Sequence, residues 1–104
     1  MHNVYVIKLD DRVANSRKVQ KVNPNRKPSK PCAYVGITGR TPEERFEQHK
    51  SGYKASRYVR EYGIRLMPRL YRRFNPMKYE DAVAMEKELA RRLRKRGYTV
   101  LGGH

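Results

Sequence analysis

"AYVGITGRTPEERFEQH" (residues 33–49) decides the fold. With the residue before it, its first part is "CAYVGIT" (32–38), a β-branched and aromatic run that predicts a strand. Gly39 and Arg40 turn the chain. "TPEERFEQHKSG" (41–52) then carries helix-start chemistry. Thr41 suits the N-cap, Pro42 the first helical position, and Glu44 completes a capping box. Gly52 predicts the helix end. Arg45 and His49, four residues apart, share one face of that helix. They are either two polar residues on a solvated face or two groups that reach into a site.

Upstream, "NVYVIKL" (3–9) alternates Val4, Val6 and Lys8 with Tyr5, Ile7 and Leu9. It predicts a first strand, antiparallel to 32–38. Between them "DDRVANSRKVQKVNPNRKPSKP" (10–31) is basic, holds three prolines and lacks helical periodicity. It reads as a long, mobile loop, too long for an ordinary hairpin and so either functional or disordered. Truncating residues 12 to 30 is therefore expected to weaken binding more than folding.

Downstream, "KASRYVREYG" (54–63) predicts a second helix with Ala55, Tyr58, Val59 and Tyr62 as its stripe and Gly63 as its stop. "IRLMPRLYRRF" (64–74) holds a third strand, whose Pro68 argues for an edge or a bulge. The longest helix runs from about Tyr79 to Arg96, with Ala82, Met85, Leu89, Ala90 and Leu93 on its apolar face and Gly97 as its stop. "YTVL" (98–101) makes a short last strand. The order β, β, α, α, β, α, β predicts one α+β domain over residues 1–104. Its small antiparallel or mixed sheet has three to four strands flanked by helices, with a basic loop insert at about 10–31.

Hydrophobic residues make up 38% and charged residues 34%, too polar a balance for a membrane protein. No apolar run approaches the roughly 18 residues of a span. "MHNVYVIKLDD" (1–11) lacks a basic region leading into an apolar one, so no signal peptide is expected. The single cysteine, Cys32, excludes a disulfide framework and a Cys-rich zinc site, and reads as a small buried residue. A reducing cytoplasm fits. The formal net charge is +15. Folding gains nothing from such self-repulsion, whereas a polyanion would neutralise it. Lys18, Lys21, Arg26, Lys27, Lys30, Arg40 and Lys50 are the candidate phosphate contacts. A merely solubilising charge, or a ribosome-bound structural role, is the bland alternative.

Among the ten acidic residues, Glu86 stands in the wrong place for a solvated charge. At about 100° per residue it lies along the stripe of Ala82, Leu89 and Leu93. A carboxylate facing the sheet costs free energy unless a cation or hydrogen bonds compensate. An arginine partner is the structural reading. A hard divalent cation is the functional one, since Mg²⁺ keeps several waters and one carboxylate suffices when a substrate supplies phosphate oxygens. Phosphodiester hydrolysis needs a base, a cation for the transition-state charge and a metal for the leaving oxygen. Arg45 has the geometry for phosphate. Tyr5, Tyr34 and His49 are candidates for proton handling. A tyrosine with an ordinary pKa near 10 needs a nearby arginine or metal to serve as base. Each of these residues also has a packing role open to it.

Taken together these residues resemble a GIY-YIG nuclease domain, over residues 3 to 100. "NVY" (3–5) stands at the family's first motif and "YVG" (34–36) at its second. "RFEQH" (45–49) resembles its Arg and His helix, and "EKEL" (86–89) its Glu helix. The small stand-alone members are the most similar. The resemblance implies cleavage of a DNA strand with one Mg²⁺ or Mn²⁺. Tyr5 and Tyr34 would lie side by side near the attacking water, with Tyr5 or His49 assisting as base. Arg45 would stabilise the phosphate, Glu86 would hold the metal, and Gly36 would let the strand end turn near the site. Three positions depart from the pattern: Asn3 replaces a glycine, Ile37 a frequent lysine, and Thr99 a frequent asparagine. Thr99 retains a hydrogen-bonding role in support of the site.

The expected function is metal-dependent endonuclease action on DNA, by nicking or on branched or damaged structures. The alternative is a nucleic-acid-binding module of the same fold without useful turnover. No membrane partner is expected. Oligomeric state stays open between monomer and weak dimer. A cytoplasmic location implies the nucleoid in a bacterium or the nucleus in a eukaryote.

Overall fold

A computed structural model describes residues 1–103 of the chain. Among them β1 (Asn3–Leu9), β2 (Cys32–Thr38), β3 (Gly63–Leu66) and β4 (Thr99–Gly102) form one sheet, ordered β3-β1-β2-β4. β1 is antiparallel to β2 and β3, while β2 and β4 run parallel. Four helices accompany it: α1 (Arg17–Lys21), α2 (Pro42–Ser51), α3 (Arg57–Tyr62) and α4 (Tyr79–Lys95). The α+β class and the small mixed sheet agree with the pattern read from the sequence.

The strands differ because their burial differs. Val4, Tyr5, Val6 and Ile7 of β1 are all within 2% of complete burial, as a central strand covered on both faces requires. β3 is an edge strand of four residues, with two exposed side chains. It is shorter than the sequence pattern suggested. Pro68 cannot donate to a sheet ladder, and it opens a 3-10 turn, Pro68–Leu70, followed by a second, Arg72–Phe74. Past that point the Asn75 side chain takes over the edge of β1, accepting from the Val4 N–H at 2.9 Å and donating to the Val4 carbonyl at 2.7 Å. α2 and α3 pack toward β1 and β3, and α4 across β1, β2 and β4. α3 begins later than expected, with Ser56 as its N-cap and Val59 as its one buried side chain.

The basic segment at 10–31 is not a free loop. The Asp10 side chain accepts from the Arg12 N–H and starts a 3-10 turn, Asp11–Asn15. The Ser16 side chain caps α1 through the Val19 N–H. Val13, Ala14 and Val19 enter the core. Asn23, only 2% exposed, is the tie. Its amide nitrogen donates to the carbonyls of Val19 (2.8 Å) and Val100 (3.0 Å). Its amide oxygen accepts from the Val100 N–H (2.8 Å) and from Arg94 Nε (3.1 Å). One residue thereby links the insert, β4 and α4. Each helical piece is about a turn long, too short to show a period in sequence. No helix among the described residues is long and apolar enough to cross a membrane.

Candidate active site

The site grows from the β1–β2 register. Tyr5 pairs with Gly36 and Ile7 with Tyr34, so Tyr5 and Tyr34 share one sheet face on a diagonal. Their ring centroids are 6.3 Å apart. A Cβ at position 36 would stand 2.5 Å from the Tyr5 hydroxyl oxygen. Glycine there is what allows the Tyr5 ring to lie over β2.

α2 delivers the next two groups. Its start is set by the full Thr41–Glu44 capping box with Pro42 in the first turn, and its end by Gly52 at φ 90°. That phase turns His49 inward, where it is 1% exposed. His49 Nε2 lies 2.9 Å from the Tyr5 hydroxyl, and its ring meets Tyr34 edge-on at 5.6 Å. The other ring nitrogen, Nδ1, accepts from the Ser56 backbone N–H at 3.1 Å. A backbone N–H can only donate, so the neutral imidazole carries its proton on Nε2 and donates it to the Tyr5 oxygen. Burial, aided by the Arg45 charge, lowers the His49 pKa from 6.5 to about 4, which keeps the ring neutral.

Arg45 lies one turn earlier on α2. Its Nη1 donates to Gln48 Oε1 and to the Tyr53 carbonyl, both at 3.2 Å, and its Nη2 to the Lys54 carbonyl at 2.8 Å. The guanidinium thus ties down the α2–α3 loop, where Lys54 adopts φ 44°. A further donor of the guanidinium hydrogen-bonds the Tyr5 oxygen, so Arg45 is tied both to the loop and to the tyrosine.

Glu86 comes from α4, 8% exposed and on the helix face that buries Ala82, Leu89, Ala90 and Leu93. Its charge and that of Arg45 both act on the two tyrosines. Burial raises the Tyr5 pKa well above its ordinary value. Tyr34 adds to the shift, Arg45 opposes it, and Glu86 raises it further. For Tyr34 burial again leads, with Glu86 raising and Arg45 lowering. Arginine is therefore present, as tyrosine activation requires, but burial outweighs it and both hydroxyls hold their protons. Tyr5, Tyr34, Arg45, His49 and Glu86 form one constellation.

No group of three or more His, Cys, Asp or Glu side chains among the described residues could hold a metal ion. A cation held wholly by protein carboxylates and imidazoles does not fit. A hard divalent ion held by Glu86, with water and phosphate oxygens filling its shell, does fit this donor set.

The other expected residues divide. Thr99 is not at the site. It is fully buried, pairs with Cys32 in the sheet, and its hydroxyl accepts from Arg26 Nε at 3.1 Å. This corrects the supporting role for Thr99 and removes Arg26 as an open phosphate contact, because both serve the insert's packing. Lys50 Nζ donates to the carbonyls of Arg60 (3.2 Å) and Gly63 (2.9 Å), at the end of α3, so its charge serves that helix. Arg40 is exposed beside Glu44, and Lys18, Lys21 and Lys27 are exposed on or after α1. Lys30 is half-buried. Ile37 is half-buried and packs on the core. Asn3, the departure in the first motif, donates from Nδ2 to the Arg40 carbonyl at 2.9 Å and so holds the turn before α2. Ser56 has no sequence signal, because its contribution is a backbone N–H.

No family model matches the chain, and no curated protein or solved structure matches it either.

Proposed function

We propose that the chain is a divalent-metal-dependent endonuclease that hydrolyses DNA phosphodiester bonds, cytoplasmic and nucleoid-associated if the source is bacterial, nuclear if it is eukaryotic. One observation carries this reading. A buried, neutral histidine donates to a tyrosine hydroxyl whose proton is also influenced by an arginine and a carboxylate. A carboxylate at this place weakens binding of a polyanion by itself, and a divalent cation at Glu86 would reverse that effect.

Each residue then has a role. Once Tyr5 has given its own hydroxyl proton to solvent, the His49 Nε2–H bond stabilises the phenolate, and that phenolate is the group that takes the proton from the attacking water. His49 itself does not accept that proton, because its lone pair at Nδ1 is held by Ser56. Its role is to position Tyr5. Arg45 offers its guanidinium charge to the phosphate oxygens. Tyr34 closes the other side of the site. Glu86 would hold Mg²⁺ or Mn²⁺. When bound, that ion supplies charge that stabilises the transition state and the leaving oxygen.

A nucleic-acid-binding module without turnover is the second reading. It is favoured by the burial that holds both tyrosine protons in place. The two separate in one assay: cleavage of plasmid and branched DNA with Mg²⁺ or Mn²⁺ by the wild type, Tyr5→Phe, Glu86→Ala and Arg45→Lys. An endonuclease loses about two to four orders of magnitude in rate with Tyr5→Phe. DNA binding without cleavage by any of the four proteins establishes the module. Cleavage that survives every substitution is a contaminant.

A further inference from the structure

We infer that the grooves around the C-terminal end of α4 form a second nucleic-acid-binding surface, distinct from the Tyr5–Glu86 site, which receives the phosphodiester backbone flanking the phosphate held at that site. It rests on nucleic acid as the partner and not on turnover.

Three surface grooves adjoin there. The first has Leu70, Phe74 and Leu93 in its lining and is bordered by Arg69, Arg73 and Lys95. The second shares Arg69 and Leu70 with it and reaches Tyr98 and Arg65. The third shares Lys95 with the first and Tyr98 with the second, and reaches Arg94 and Arg26, whose guanidiniums are engaged with Asn23 and Thr99 and serve packing. None of the three has an Asp or Glu in its lining. Glu88 does offset Arg91 and Arg92, to which it is hydrogen-bonded. Arg69, Arg73 and Lys95 are exposed, and no carboxylate pairs with them among the described ion pairs.

A basic last turn of a helix has an ordinary explanation in the helix dipole. That explanation covers Lys95 but not Arg69 or Arg73, which come from the two 3-10 turns after β3. Two separate segments converge their cations on one acid-free groove, and Arg73 Cζ lies over the Phe74 ring, 4.7 Å from its centroid. Like charges brought together this way repel unless a polyanion lies between them. Lys95 is nine residues beyond Glu86 on α4, about 13 Å along the helix axis. That is too far to touch the phosphate at Glu86, and it matches roughly four base pairs of duplex rise. An acidic peptide would satisfy the charge equally, but the adjoining candidate phosphate site favours a nucleic acid.

The test measures binding without divalent metal, by fluorescence anisotropy of a labelled duplex and a single strand of equal length across a salt series. Arg69→Ser/Arg73→Ser/Lys95→Ser is compared with Arg17→Ser/Lys18→Ser/Lys21→Ser, which removes the same charge from α1. The groove variant should lower the slope of log affinity against log salt by roughly two to three and weaken binding at least about tenfold, while the α1 variant moves far less. Equal losses from both variants would mean net charge alone acts, and a larger loss from α1 would place the surface on the insert. Either result overturns the proposal, as does a polyglutamate peptide that competes as well as DNA of equal charge. If the triple variant does not fold, Arg73→Ser and Lys95→Ser singly should each lower the slope by about one. Failure of DNA cleavage with this binding intact would sink the endonuclease and leave the groove standing.

Discussion

The Tyr5 hydroxyl is held 2.9 Å from His49 Nε2, and His49 is held in turn by the backbone of Ser56. A buried hydroxyl, a buried ring and a loop N–H therefore depend on one another. Replacing His49 by Ala removes the imidazole from both the Tyr5 oxygen and the Ser56 N–H. The expected cost is about 2–4 kcal/mol of stability. If the protein cleaves DNA, the rate should fall by about two orders of magnitude or more. Chemical denaturation and single-turnover cleavage measure the two separately. An unchanged denaturation midpoint contradicts the buried pair.

Gly36→Ala puts a methyl group where the Tyr5 hydroxyl now lies. Tyr5 is 2% exposed and has little room to move. We expect a loss of about 1–3 kcal/mol and a displaced tyrosine. Tyr5→Phe in the Gly36→Ala background should recover only part of that stability, because it removes the hydroxyl at 2.5 Å but keeps ring carbon Cζ at 2.6 Å. A double-mutant cycle that shows no coupling between positions 5 and 36 refutes this contact.

Protonation of His49 destabilises the fold in a defined pH window. Its pKa is about 4 in the folded protein and near 6.5 when unfolded. The unfolded chain then binds the proton more tightly, so stability is complete above about pH 6.5 and is lost as pH falls toward about 4. The loss should be on the order of 2–3 kcal/mol, read from urea midpoints across that range. His49→Gln should show a correspondingly weaker dependence. The Tyr5 shift has the opposite sense at the alkaline end. Any cleavage rate that relies on Tyr5 as base should climb through about pH 9 without a plateau.

Deleting residues 12–30 should unfold the domain, in contrast to what a mobile loop would permit. It removes Val13, Ala14 and Val19 from the core and Asn23 from β4. Asn23→Ala alone should cost about 2–4 kcal/mol, since four hydrogen bonds to the amide are lost and the Val100 N–H is left buried. Thermal melts of both variants test this. A folded deletion variant would return the segment to the status of a loop.

What could be read from the sequence follows from how far each signal reaches along the chain. The Thr41–Glu44 cap, the alternation in β1 and the stripe of α4 are local, repeated patterns, and they place Tyr5, Arg45, His49 and Glu86 on the right elements. The misplaced polarity of Glu86 pointed inward and the structure buries it. Thr99 was misjudged because its partner, Arg26, is 73 residues away and no spacing rule joins them. Asn23 and Asn75 were invisible for the same reason: each replaces backbone pairing at a place only the folded chain creates. The cations of the α4 groove carry no joint signal in the sequence, because only the turns after β3 bring Arg69 and Arg73 beside Lys95.

Arg45 reaches the carbonyls of Tyr53 and Lys54 with the same guanidinium whose charge bears on Tyr5 and Tyr34. The span between α2 and α3 is thus gauged by the length of one side chain. Inserting a single residue after Gly52 would leave every motif residue in place, yet it would draw the positive charge off its aim. Tolerance to length change, high in most surface connections, should be lowest in this one.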